Sequence, residues 1–241
     1  MKIAGVDGCH GGWVVASRID DKHLPTIRIF DRFEGILNSF SDYVIVVDMP
    51  IGLASREKGK RDADVKAKSI LTEVKRGGSV FYPPVKEVIE RVMKKPELVS
   101  YNERNYVAVC EISNKLTNRK LSRQSFGILR KIVEINSVKA NNVYEFHPEI
   151  VWVKTCGFRQ LDYKKSKTGE EQRLKCLSDK LNIQQNTLLT LIADSRRGKS
   201  KDVSRDDIID ALAGLIVAKR IYKKESKTLP PKAGELPRII Y

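Results

Sequence analysis

Residues 3–15, Ile-Ala-Gly-Val-Asp-Gly-Cys-His-Gly-Gly-Trp-Val-Val, constrain the fold more than any other stretch of the chain. Apolar runs flank Gly8, Gly11 and Gly12, a spacing that predicts a strand, a tight hairpin and a second strand. Glycines at such a turn lift the limit on φ and let another backbone, or a phosphate, come close. Asp7 stands where the first strand hands over to the turn. Two roles are open to it: a cap on its own turn, or a carboxylate presented at the edge of a sheet.

The pattern downstream supplies the rest of the sheet. Residues 2–7, 12–19 and 25–31 read as three successive strands. A helix follows, with Phe33, Ile36, Leu37 and Phe40 as its apolar stripe and Asp31 with Glu34 as its capping box. Residues 43–48, Tyr-Val-Ile-Val-Val-Asp, are apolar enough for a central strand buried on both faces. That strand ends in a second carboxylate, Asp48, and Met49-Pro50-Ile51-Gly52 breaks the ladder. From about 55 to 140 the periodicity is helical. Ser100 and Glu103 read as the cap of one helix, and another, starting near Arg123, carries Phe126, Leu129, Ile132 and Val133. Residues 143–147 return as a strand, Thr168 and Glu171 read as a later cap, and a last helix starts at Ser204 and runs to about Tyr222. The expected class is α/β: an RNase H-like mixed five-stranded sheet, three strands antiparallel and then parallel, flanked by helices. Residues 1–241 form one domain, and the helical insertion at 55–140 lies between strands 4 and 5.

In that topology Asp7 and Asp48 end adjacent strands. Two such carboxylates repel unless a cation lies between them. Mg²⁺ or Mn²⁺ takes hard oxygen ligands of this kind, often only one or two carboxylates with substrate phosphates. The last helix offers Asp207 and Asp210 on one face. Asp207 also fits the capping box of Ser204, whereas Asp210 lies past the first turn among Ile208, Ile209, Ala211 and Leu212, where a cap is not needed. Alternation in the strand 143–147 puts Glu145 and His147 on one face. Glu145 is then a further ligand or outer base, and His147 a group that orients water or substrate, or a structural hydrogen-bonding residue. Such a cluster suits phosphoryl transfer with two metal ions, which requires no protein nucleophile. The chain has no nucleophile elbow and no phosphate-binding lysine loop.

A net charge of +15 favours a polyanionic partner, DNA or RNA. Candidate substrate contacts are Gly8, His10, Gly11 and Gly12 in the hairpin, then Lys58, Lys60, Arg61 and Arg123, and the basic loop Arg196, Arg197 and Lys199. Phe81 and Tyr82 are candidates for stacking on a base or for core packing. No apolar run is long enough to span a membrane, and the first residues lack the pattern of a secretory leader. The four cysteines, Cys9, Cys110, Cys156 and Cys176, form no close pair in sequence. That spacing predicts free thiols and a cytoplasmic protein.

Taken together, Gly5-Val6-Asp7-Gly8-Cys9 with Gly11-Gly12-Trp13-Val14, Val47-Asp48-Met49-Pro50-Ile51-Gly52-Leu53, Ser79-Val80-Phe81, Gln124-Ser125-Phe126, Glu145-Phe146-His147-Pro148-Glu149 and Asp207-Ile208-Ile209-Asp210-Ala211-Leu212-Ala213 resemble a family of predicted RNase H-like nucleases with no assigned function. The last stretch is also similar to the final active-site helix of RuvC-like resolvases. The resemblance implies a divalent-metal centre at Asp7, Asp48 and Asp210 with Asp207, and it makes a homodimer an expectation to test. Two alternatives are a nucleotide-binding phosphotransferase of the actin-like kind, with Gly8–Gly12 around the phosphates, and a basic nucleic-acid-binding scaffold without catalysis.

Overall fold

The computed structural model describes residues 1–199, 201–231 and 238–241. Its centre is a sheet of β1 (Ile3–Cys9), β2 (Gly12–Arg18), β3 (Thr26–Phe30), β4 (Val44–Val47) and β5 (Val143–Glu145). The order across the sheet is β3-β2-β1-β4-β5. β1 pairs antiparallel with β2 and β2 with β3, while β4 and β5 run parallel to β1. Helix α1 (Phe33–Ser39) links β3 to β4. Between β4 and β5 come α2 (Asp62–Glu73), α3 (Lys86–Met93), α4 (Glu103–Thr117), α5 (Arg123–Gly127) and α6 (Leu129–Ser137). This is the ribonuclease H-like topology, with its helical insertion where the sequence pattern puts it. After β5 come α7 (Pro148–Ile150), which runs on into a π-helical turn at Val151–Thr155, then α8 (Lys167–Leu181), α9 (Gln185–Ser195) and α10 (Arg205–Tyr222).

Side chains alternate across the strands and divide the core in two. Ala4, Val6, Val15, Ile45 and Val47 face α1 and the insertion, packing with Phe33, Val88 and Ile132. Ile3, Val14, Ala16 and Val46 face the C-terminal helices, where α10 is buried continuously from Ile208 to Ala218. A third, smaller cluster joins α2 to the C-terminal ribbon of β6 (Thr228–Leu229) and β7 (Ile239–Ile240). That tail docks on the body, and a bridge from Ile240 to Phe146 extends the contact. Among the described residues no helix is long and apolar enough to cross a membrane.

Several local expectations are corrected. Helix α1 begins after Arg32 with no side-chain cap, so Asp31 and Glu34 make no capping box. The cap of α4 is Asn102, which accepts from the Asn105 N–H, rather than Ser100. The cap of α8 is Ser166, two residues before Thr168. In each case a neighbouring polar residue has the extended backbone that the cap position requires. The helix near Arg123 is two helices, broken at Ile128. Cys156 and Cys176 are not free thiols: they form a disulfide, with Cα atoms 5.9 Å apart. Cys156, just after the π-helical turn at 151–155, meets Cys176 of α8, a pairing that cysteine spacing does not reveal. Cys9 and Cys110 are free and buried.

β1 and α10 cross in close backbone contact. A Cβ added at Gly5 would stand 2.7 Å from the Gly214 Cα and closer still to the Ala211 carbonyl oxygen. One added at Gly214 would meet the Gly5 Cα at 2.6 Å. Backbone rather than a flexible side chain lies opposite, so the contact cannot relax locally. Gly5→Ala is expected to lower stability by more than about 2 kcal/mol, towards the upper end of overpacking costs, as read by urea unfolding.

Candidate active site

Register places the first two carboxylates. β1 pairs with β4 up to Val6 and Val47, and the Asp48 N–H donates to the Val6 carbonyl at 3.0 Å. Asp7 and Asp48 are therefore neighbours one step beyond the parallel ladder, with the parity of Gly5 and Val46, towards α10. β1 outruns β4 by continuing its hairpin pairing to Cys9 and Gly12. Asp7 does cap its own turn: its Oδ1 accepts from the Gly8 N–H at 2.7 Å. Both roles open to it in the sequence are compatible, since one oxygen makes the cap. Asp210 lies one helical turn before Gly214 on α10, and the Gly5–Gly214 contact sets it over the same strand ends.

These three carboxylates line a cavity of about 360 Å³, together with Lys131, Lys164, His147 and Glu149. Asp7 and Asp210 are buried, and Asp48 is half-buried. Burial raises the pKa of Asp7 well above the carboxylate range, and Asp48, Asp210 and Asp207 push it further, against Lys164. Asp48 is raised to about 7 by burial, with Lys164 opposing and Glu149 adding. Asp210 is likewise raised to about 7 by burial, with Lys164 opposing and Asp48 adding. The Lys164 ammonium lies 3.1 Å from both Asp206 and Asp210. Burial acts to lower its pKa, but those two carboxylates outweigh burial and hold it charged. Lys131 donates to the Cys9 carbonyl at 3.0 Å, its stem lying where a Gly8 side chain would be.

Of the other predicted residues, Gly8, Arg61, Phe81, Glu145 and His147 also line this cavity, while the rest fall elsewhere. Asp207 is committed to the capping box: its Oδ2 accepts from the Ser204 N–H at 2.8 Å while its own N–H donates to Ser204 Oγ. Glu145 pairs in register with Val47, not with Asp48, and so points to the opposite face of the sheet. There it accepts from the Ile51 N–H at 2.7 Å and from Arg61. Arg61 is 1% exposed, with its guanidinium spent on Glu145, Asp64 and the carbonyls of Ile51 and Gly52. As placed, it holds the turn after Asp48 from within the cavity wall, with its donors already engaged. Asn136 secures the same turn through Gly52 and Pro50. His147 caps α7, its Nδ1 accepting from the Glu149 N–H at 3.2 Å. Burial lowers its pKa, against Glu149 and Asp210. In the hairpin, Gly11 donates to the Asp202 carbonyl at 2.9 Å, and Gly12 takes φ +120° against Phe30 and Asp31. His10 is exposed beside a smaller recess that also includes Gly11, Gly12, Arg130 and Lys131. Arg123 forms an exposed pair with Glu103. Arg196 holds the Val203 carbonyl, Arg197 pairs with Asp194, and Lys199 joins them in a loop away from the carboxylate cavity; Ser200 of that loop lies outside the described residues.

Lys164, Lys131 and the cluster of Glu149 with Arg173 and Arg76 are absent from the sequence reading. Lys164 sits in an irregular segment with no periodicity to mark it. Among the described residues no group of three or more His, Cys, Asp or Glu side chains is gathered to hold a metal ion. The chemistry of the donors nevertheless fits a hard divalent cation. The converging groups are carboxylates, their charged forms are disfavoured by burial and by one another, and two with substrate oxygens are enough for Mg²⁺.

Two measurements test this electrostatic picture. Asp48 binds its proton more tightly folded, at about 7, than at its ordinary 3.8. Its contribution to stability is therefore full below about pH 4 and is lost as pH rises through about 7. In EDTA at about pH 8, Asp48→Asn is expected to melt above wild type, by up to a few kcal/mol, with the gap closing towards about pH 4. Arg61→Gln leaves two buried carboxylates uncompensated and is expected to cost about 3–5 kcal/mol in urea unfolding, whereas Arg123→Gln costs under about 1.

Neither the comparison with curated proteins nor that with solved structures gives a match. The family described as "Protein of unknown function (DUF429)" matches residues 5–235, nearly the whole chain and every carboxylate of the cavity, and the chain belongs to that family.

Proposed function

We propose that the protein is a divalent-cation-dependent phosphodiesterase that hydrolyses DNA or RNA. One observation carries this reading: Asp7, Asp48 and Asp210, from two strand ends and the central helix, line one cavity that among the described residues offers no free hydroxyl or thiol. Its wall holds no cysteine or threonine, and its lone hydroxyl, Ser79, donates to the Arg76 carbonyl at 2.8 Å. In this reading the nucleophile is water, activated among the carboxylates. The RNase H-like topology and the motif resemblance support the same class, although the fold by itself hosts several chemistries.

Asp7, Asp48 and Asp210 would hold Mg²⁺ or Mn²⁺, which when bound would lower the pKa of the attacking water and stabilise the leaving oxygen. The chain's own groups have separate tasks. Lys164 and Lys131 present fixed positive charge to a phosphate on the cavity wall. His147, kept neutral by burial and with Nδ1 occupied, directs its other ring nitrogen as a hydrogen-bond donor. Glu145 acts through the Ile51 turn that places Asp48, so it is a positioning residue rather than a ligand. Asp207 contributes charge near Asp7 while it secures the start of α10.

With Mn²⁺ and a panel of single strands, duplexes, RNA–DNA hybrid and four-way junction, wild type is expected to cut at least one substrate. Asp7→Asn and Asp48→Asn are each expected to lower the rate by about a thousandfold or more, in line with loss of a group central to transition-state charge. Glu145→Gln should lower it less, and together with stability. No cleavage of any substrate by wild type, with binding unchanged in Asp7→Asn, would make the protein a non-catalytic scaffold.

A further inference from the structure

Beside the carboxylate cavity, the helical insertion carries a larger cleft of about 640 Å³. It lies between the 56–60 loop, the 78–85 loop and the segment from α4 to α5. Its lining carries Arg56, Lys58, Lys60, Lys68, Arg119 and Lys120 against one carboxylate, Glu57. Arg56 is paired with Glu57 and Lys58 with Asp62. Lys60, Lys68, Arg119 and Lys120 form no salt bridge among the described residues. Four uncompensated cations converging on one concavity repel each other, and an anion that enters relieves that repulsion.

The recess also holds aromatic surface. Lys60 and Lys68 lie over the Tyr82 ring, 4.4 and 5.3 Å from its centre. Phe81, half-buried, lines both this cleft and the carboxylate cavity, as do Gly78, Val80 and Gln124. The two recesses therefore adjoin across a shared wall, the basic cleft on one side and the carboxylate cavity on the other.

From this arrangement we infer that the cleft binds a single nucleic-acid strand, with its phosphates on the free lysines and arginine, a base on Phe81, and the next phosphates delivered to Asp7, Asp48 and Asp210. Size selects the form of the ligand. A cleft of this volume is in the range of about 300–1,000 Å³ that encloses small ligands. A flexible strand can sink both backbone and base into it. A duplex keeps its phosphates on the outside of a stiff rod and its bases stacked within, so it cannot reach the cations and the aromatic wall together. The inference rests on the phosphodiesterase reading for its choice of ligand, but the test does not need cleavage.

Binding of labelled single-stranded DNA, single-stranded RNA and duplex of the same sequence is measured by anisotropy in EDTA over a range of salt. At least one single strand is expected to bind about tenfold or more tighter than the duplex. Replacing Lys60, Lys68, Arg119 and Lys120 by Gln should weaken single-strand binding by about tenfold or more and reduce the log–log salt slope by about 2–3, near 0.7 per lost contact. Phe81→Ala should weaken it about tenfold with the slope unchanged. Replacing Arg196, Arg197 and Lys199 by Gln, a loss of three charges away from the cleft, should leave affinity near wild type. Duplex binding as tight as single strand, a cleft variant with wild-type affinity and slope, or an equal loss from the control variant would each overturn the inference. Single-strand binding as described with no cleavage in Mn²⁺ would leave the cleft assignment standing and remove the phosphodiesterase reading.

Discussion

The contact of Gly5 with Gly214 governs how the carboxylates of this fold are brought together. Helix α10 can lie flat on β1 only because neither residue has a side chain at the crossing. That approach buries the helix from Ile208 to Ala218 and brings Asp210, one turn earlier, over the end of β1. Asp7 and Asp48 are already side by side through the parallel register. A carboxylate on a helix and two on strand ends are thus brought together by backbone packing, against their own repulsion. The hydrophobic burial of α10 and the sheet supplies the driving force, and the charges are carried along with it.

Much of this was legible in the chain. Strand order, the insertion and the final helix follow from apolar periodicity and from glycine and proline punctuation. Asp7 and Asp48 stand out because each closes an apolar run, and Asp210 because it interrupts one. What the sequence pattern could not supply was register and long-range approach. Glu145 looks like a fourth acid until its pairing with Val47 turns it to the other face. Arg61 looks like a basic surface residue until Glu145 and Asp64 enclose it. Lys164 bears no local mark, because its role is defined by Asp206 and Asp210, more than forty residues away in sequence. The Cys156–Cys176 link has the same character, since it joins the segment after α7 to α8 across twenty residues.

The basic residues divide by the same logic. Arg123, Arg196 and Arg197 meet partners close to their own surface segments. Lys60, Lys68, Arg119 and Lys120 come from separate parts of the insertion and share a recess without carboxylate partners. A charge count over the chain treats both groups alike. Geometry separates cations that are already satisfied from those that are not, and only the latter carry strong attraction for a polyanion.

Arg61 deserves a last consideration for what it does to motion. Its guanidinium joins α2 of the insertion to β5 of the sheet and to the turn after β4. Being buried, that ion-paired joint is strong against breakage, since separating its members would strand charge away from water. The insertion and the sheet are therefore fastened to one another at this point. Any movement of the insertion against the sheet would have to pull this joint apart, so the bond that ties the two layers also holds the turn that places Asp48.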